Sequence, residues 1–138
     1  ITQGGAPGLP GQDDAFRRSR LLAAMSAIRR YELGLGRQLL ERVSAVEGLT
    51  VYGITDPARA SERCPTVAFT LERHSPAAVA RALGEQGIYV RNGNHYAYEL
   101  HLALGLEEHG GTVRASLGHY NTPEEIERLG AALDELAA

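Results

Sequence analysis

The sequence predicts an α+β fold: a small, mostly antiparallel four-stranded sheet covered on one face by helices, in the order α-β-β-α-β-(α)-β-α with a long N-terminal helix. Three observations carry this expectation. Apolar residues recur at helical spacing from Leu21 to Val46. Four short runs rich in β-branched residues lie between turn signals. Two later helices are announced by a hydroxyl residue followed by proline, at Ser75-Pro76 and Thr122-Pro123.

Residues 1–15, opening ITQGGAPGLPGQDD, are rich in Gly and Pro without apolar period and read as a flexible leader. Residues 16–138 read as one domain. Asp13 or Asp14 is placed to cap a helix from Phe16 to Val46, with Leu21, Met25, Ile28, Leu35, Leu39, Val43 and Val46 forming one apolar stripe. Gly34 and Gly36 each weaken its middle by about 1 kcal/mol relative to Ala, marking a kink or a close contact. A helix of that extent is about 45 Å long. Such a length suggests that one end packs on material outside the chain.

LTVYGI (49–54) and TVAFTL (66–71) read as strands joined by the polar TDPARASERCP. SPAAVARALGEQG is a helix with Ser75 as N-cap, Pro76 at its first position and Gly87 as its stop. IYVR (88–91) reads as the third strand, and NGNHYAYEL as a loop entering a short helix that ends near Leu104. TVRASL (112–117) is the fourth strand. Thr122, Pro123 and Glu125 compose a capping box, and the helix they start turns Ile126, Leu129, Ala132, Leu133 and Leu136 inward.

Composition narrows the function classes. The 138 residues are 43% hydrophobic and 22% charged, the proportions of an ordinary globular domain. A net charge of -3 offers no electrostatic reason for a nucleic-acid partner. No apolar run reaches the roughly 20 residues that cross a bilayer, so no membrane partner is expected, and the compartment expected is the cytoplasm. The single Cys64 excludes an internal disulfide and a cysteine-rich zinc site, and reads as an incidental surface thiol. All fourteen basic residues are Arg. No lysine here can form an imine or act as a base. With its start at Ile1 rather than a Met, the chain reads as a piece of something longer.

His74, His95, His101, His109 and His119 show no metal-ligand spacing, so no metal site is expected. Neither a nucleophile elbow, a phosphate loop nor a dinucleotide fingerprint occurs. His119 and Tyr120 beside Ser116 do not compose a triad, which leaves a self-sufficient hydrolase without support. Two places remain. The loop Arg91, Asn92, Gly93, Asn94, His95, Tyr96 is either a plain connection or the polar, aromatic lining of a ligand cleft. Arg114 alternates with Val113 and Ala115 in its strand. It is either a solvent-face arginine paired with a glutamate or a guanidinium fork awaiting a carboxylate.

GIYVRNGNHYAYEL followed, after a spacer, by GTVRASLGHYNTPEEIERLGAALDEL resembles the C-terminal segment of class V aminotransferases, the cysteine desulfurase-like group of pyridoxal-phosphate enzymes. MSAIRRYELGLGRQLLERVSAVEGLTVYG is similar to that family's entry into its small domain. The resemblance covers about residues 20–137 and the final third of a typical member. It implies the small domain of a fold-type I enzyme, with Arg114 gripping the α-carboxylate of an amino-acid substrate and the loop 91–96 closing over it. It further implies pyridoxal 5'-phosphate in the full-length protein but none bound to this fragment. The cofactor-bearing lysine belongs to a missing N-terminal large domain, so no catalytic residue is assigned here and the fragment alone is expected to be inactive. A homodimer is implied for the whole enzyme.

One departure matters. Desulfurases of the family carry a nucleophilic cysteine where this chain has Tyr96, and a phenol cannot attack a substrate sulfur to give a persulfide. Transamination, β-elimination and racemisation need no such thiol. The alternative from a different class is a free-standing α+β binding or interaction module without catalysis. A small domain severed from its large one is further expected to expose apolar surface on the first helix and on one sheet face, favouring self-association.

Overall fold

The computed structural model describes residues 12–138. Helix α1 (Gln12–Ser44) is followed by β1 (Leu49–Tyr52), β2 (Thr66–Leu71), α2 (Pro76–Glu85), β3 (Arg91–Gly93), α3 (Tyr98–Ala103), β4 (Thr112–Ser116) and α4 (Pro123–Ala137). The strands form one antiparallel sheet in the order β1-β2-β4-β3. This is the expected α+β arrangement. No helix among the described residues is long and apolar enough to cross a membrane.

The core lies between one sheet face and the helices. Val67, Phe69 and Leu71 alternate inward along β2, and Val113 and Ala115 do so along β4. They meet Leu35, Leu39 and Val43 of α1, Val79 and Leu83 of α2, and Ile126, Leu129 and Leu133 of α4. Phe69 is the largest fully buried side chain. Burying such a ring contributes about 1.5–3 kcal/mol, which is why α1, α2 and α4 share one face.

Local signals set most element ends. The Ser75 hydroxyl accepts from the Ala78 N–H at 3.3 Å, with Pro76 just inside the helix. Glu125 closes the capping box of α4 by accepting from the Thr122 N–H at 2.9 Å. Gly36 marks a close approach, since a Cβ there would meet Pro65 at 3.4 Å.

Some expectations are corrected and others refined. Helix α1 begins at Gln12, so Asp13 and Asp14 lie inside its first turn rather than capping it. Of the leader, residues 1–11 lie outside the described residues. The apolar stripe of α1 divides, as the length of the helix suggested: Leu35, Leu39, Val43 and Val46 are buried, whereas Phe16, Leu21, Leu22 and Met25 are exposed, with no element among the described residues packed opposite that half. The linker between β1 and β2 contains a 3-10 turn (Pro57–Glu62), started by the Asp56 side chain accepting from the Ala58 N–H. The third strand is displaced from 88–91 to Arg91–Gly93. Gly87 stops α2 at φ 72° and the Ile88 N–H turns back to the Leu83 carbonyl, so Ile88 and Val90 pack against the core edge before the ladder begins.

The uncovered sheet face is polar, not apolar. Tyr52 pairs with Thr70 at 3.2 Å and Thr66 with Ser116 at 3.1 Å. Arg114 stands on that same face, since it alternates with the core residues Val113 and Ala115.

Candidate functional site

The site forms where β3 runs into a tight turn beside β4. Arg91 lies directly opposite Arg114 in the antiparallel ladder, so both guanidinium groups leave from one sheet face. Arg91 is exposed and Arg114 half-buried. Among the described residues neither has a carboxylate within ion-pair distance. Like charges directly opposite each other destabilise a sheet. Two unneutralised guanidiniums on one face suit an anion chemically, since their planar forks match the geometry of a carboxylate.

The turn beyond β3 is built rather than loose. Gly93 takes φ 117°, and His95 and Tyr96 take φ 53° and 64°, a strained conformation for residues bearing a Cβ. Several contacts hold it. The Asn94 Oδ1 accepts from the Tyr96 N–H at 3.2 Å, and the Asn94 Nδ2 donates to the Glu107 carboxylate at 3.2 and 3.3 Å. Gly111 packs so closely that a Cβ there would lie 2.3 Å from the Gly93 carbonyl. Buried His101, on α3, bridges the turn to β4: Nδ1–H donates to the Ala97 carbonyl at 3.0 Å and Nε2 accepts from the Thr112 hydroxyl at 3.3 Å. The carbonyl partner sets that tautomer.

His95 sits inside this frame. Its ring lies edge-on to His101 with centroids 6.0 Å apart. Burial holds its pKa below the usual histidine value, and the charges of Arg114 and Arg91 press the same way against a hydrogen bond that the ring donates to the Thr112 backbone carbonyl. His95 is therefore the neutral member of a cationic cluster. Tyr96 at the tip is fully exposed.

The structure thus brings together every residue singled out from the sequence: Arg114 on β4, Arg91, Asn92 and Gly93 on β3, and Asn94, His95 and Tyr96 in the turn. Sequence reasoning missed the supports His101, Glu107 and Gly111. The Gly110-Gly111 doublet was the one available signal, since paired glycines before a strand mark a close backbone approach. Cys64 is exposed and stands off the opposite end of β4 from Tyr96: Thr66 pairs with Ser116, whereas Gly93 pairs with Thr112. The five residues of β4 span about 13 Å between those ends. Among the described residues no group of three or more His, Cys, Asp or Glu side chains gathers to hold a metal. A groove of about 440 Å³ lies between residues 87–90 and 115–121, lined by Ile88, Tyr89, Leu117 and Tyr120. It includes neither Arg114 nor the turn. It opens where β4 loses its β3 partner, so it is a consequence of the late start of β3.

The pattern described as Aminotransferase class-V matches residues 18–129. The chain is 39% identical over 111 residues to a probable cysteine desulfurase of Methanothermobacter thermautotrophicus, covering 80% of this chain and 26% of that protein. It is 40% identical over 109 residues to a cysteine desulfurase of Synechococcus elongatus, covering 79% of this chain and 16% of that one. Among solved structures, the apo cysteine desulfurase of Thermococcus onnurineus superposes with a TM-score of 0.75 at 31% identity, covering 87% of this chain and 28% of that one. A cysteine desulfurase of Escherichia coli in an S-sulfonic acid form gives 0.63 at 25% identity, covering 78% and 24%. The chain spans about a quarter or less of the length of the curated relatives it matches.

Proposed function

The chain belongs to the aminotransferase class-V family, and on that premise we propose that it is the substrate-closing C-terminal small domain of a cytoplasmic pyridoxal-phosphate enzyme acting on an amino acid. The observation that carries this reading is the pair of unneutralised guanidiniums, Arg91 and Arg114, opposite each other beside a strained, braced turn. Arg114 binds the substrate α-carboxylate bidentately. The turn 91–96 covers the substrate side chain, with Tyr96 at its tip.

Pyridoxal phosphate serves as an electron sink for bonds at the amino-acid α-carbon. Nothing in this chain can carry it covalently, because the chain has no lysine. The cofactor belongs to a large N-terminal domain, and this domain supplies carboxylate binding and exclusion of water. Exposed Phe16, Leu21, Leu22 and Met25 on α1 suit contact with that large domain. A second copy completes the enzyme as a homodimer. Tyr96 directs the chemistry away from persulfide formation, and Cys64, off the far end of β4, does not restore it. Transamination, β-elimination and racemisation of an amino acid fit the remaining groups.

The test uses the longer protein that carries this domain. Its visible absorption before and after borohydride, with mass analysis of the reduced peptide, locates the cofactor on a lysine outside these residues. Arg114→Met then raises the KM for an amino-acid substrate by about a hundredfold, the loss expected for a bidentate carboxylate contact of roughly 2–3 kcal/mol. An unchanged KM, or a protein that takes up no pyridoxal phosphate, refutes the reading.

A further inference from the structure

His95 is the group at this site whose bonding the chain leaves unfinished. Among the described residues its Nε2 is the buried side-chain nitrogen without a hydrogen-bond partner. Such a group in a folded protein calls for an explanation. The neighbours on every side narrow it. From α3, His101 has both ring nitrogens committed, to Ala97 and to Thr112. From the turn, the Asn94 amide is committed to Glu107. From β4 the Thr112 backbone serves His95 itself, which leaves its Nε2 free. Of the charged and titratable groups that act on His95, the donors left uncommitted are the guanidiniums of Arg114 on β4 and Arg91 on β3.

We infer that His95 is a positioning residue for Arg114: its Nε2 lone pair takes an N–H from the far edge of the guanidinium while the fork holds the substrate carboxylate. The inference rests on the carboxylate-binding reading of Arg114. A guanidinium has five N–H donors, and a bidentate carboxylate uses only two of them. Arg114 has no side-chain hydrogen bond among the described residues, so its long stem leaves the plane of the fork undetermined until something holds the other edge. An imidazole suits that task better than a glutamate. A glutamate would neutralise the guanidinium and compete with the substrate, whereas a neutral imidazole accepts a hydrogen bond and leaves the positive charge for the ligand. Burial, together with the charges of Arg114 and Arg91, favours the neutral form of the ring.

The first measurement uses this chain as it stands. Nitrogen-15 NMR of the imidazole rings should find His95 neutral at pH 7 with the proton on Nδ1 and Nε2 bare. Arg114→Met should raise its pKa, because one of the cations that depress it is gone. A His95 protonated at pH 7, or one indifferent to Arg114→Met, overturns the inference. The second uses the longer protein, with L-alanine as the probe and its dissociation constant read from the visible absorption of the bound cofactor. His95→Leu should weaken L-alanine about tenfold, in the range found when an outer-shell partner of a ligating group is lost. His95→Gln, which keeps an acceptor, should recover most of that loss.

Wild-type affinity should fall on acidification through the depressed His95 pKa, since a protonated ring cannot accept and repels Arg114. The His95→Gln variant should lack this step. Wild-type affinity that rises on acidification, or His95→Leu binding as wild type does, overturns the inference. If Arg114→Met binds L-alanine normally, the failure lies in the carboxylate reading of Arg114 and takes the role of His95 with it.

Discussion

Gly110 and Gly111 offer a controlled measurement of how tightly the candidate turn is pressed against β4. Both take left-handed φ, 85° and 83°, so an alanine at either suffers the same backbone penalty of about 1–2 kcal/mol. Their surroundings differ sharply. A Cβ on Gly110 meets only Pro76, at 4.0 Å, an ordinary contact. A Cβ on Gly111 falls 2.3 Å from both the carbonyl carbon and the oxygen of Gly93, and 2.9 Å from the Asn94 nitrogen. Those are backbone atoms and cannot rotate away, so β3 and the turn must move. Overpacking of this kind costs about 1–3 kcal/mol beyond the φ strain. Gly111→Ala should therefore be less stable than Gly110→Ala by that difference. For a domain of this size, at about 4 °C per kcal/mol, the two melting temperatures should separate by roughly 4–12 °C. Differential scanning calorimetry on both variants makes the comparison. Amide shifts at Asn94, His95 and Tyr96 should move in Gly111→Ala and stay near wild type in Gly110→Ala. Equal melting temperatures for the two variants would falsify the claim that the turn is braced by this backbone contact.

Two further predictions concern charge. Arg91→Gln relieves the repulsion with Arg114 across the ladder and should raise the urea midpoint at low salt by the equivalent of a few tenths of a kcal/mol. The gain should vanish near 1 M salt, where the screening length is about 3 Å, and a gain that survives there points to packing rather than charge. The Asn121 amide and then the Thr122 N–H hold the Glu125 carboxyl below the ordinary glutamate range. A depressed carboxylate contributes stability that is complete above its unfolded value of about 4.3 and is lost as pH falls through the folded value. Acid unfolding should therefore begin below about pH 4.3. Glu125→Gln, which retains an acceptor for Thr122, should show a shallower acid limb in a circular-dichroism titration. An identical limb would mean that the capping carboxylate has no part in it.

How much was legible in the sequence depended on the distance over which each signal acts. The caps at Ser75 and Thr122, the stop at Gly87 and the alternation of Val67, Phe69 and Leu71 each involve residues within one turn or one strand, and all stand where expected. Arg114 could be placed on the face opposite Val113 and Ala115 for the same reason. The periodicity from Leu21 to Met25 stated which residues share a face but not whether anything lies opposite, and it was the length of the helix that signalled an exposed end. The third strand slipped because IYVR has good strand propensity, while the chain spends Ile88 and Val90 on the core edge.

By itself, then, the sequence determined the order of the elements, their caps and the position of the arginines proposed to bind an anion. These follow from short-range propensity and side-chain chemistry. Only the tertiary structure decided that Arg91 faces Arg114, that Gly111 presses on Gly93, and that His101 ties α3 to Thr112 and shuts His95 in beside two cations. Apart from His95 beside Arg91 and His101, those juxtapositions join residues distant in the chain, such as Arg91 and Arg114 or Gly93 and Gly111. Strand register and the packing of α3 select them, and no local pattern in the intervening residues encodes either.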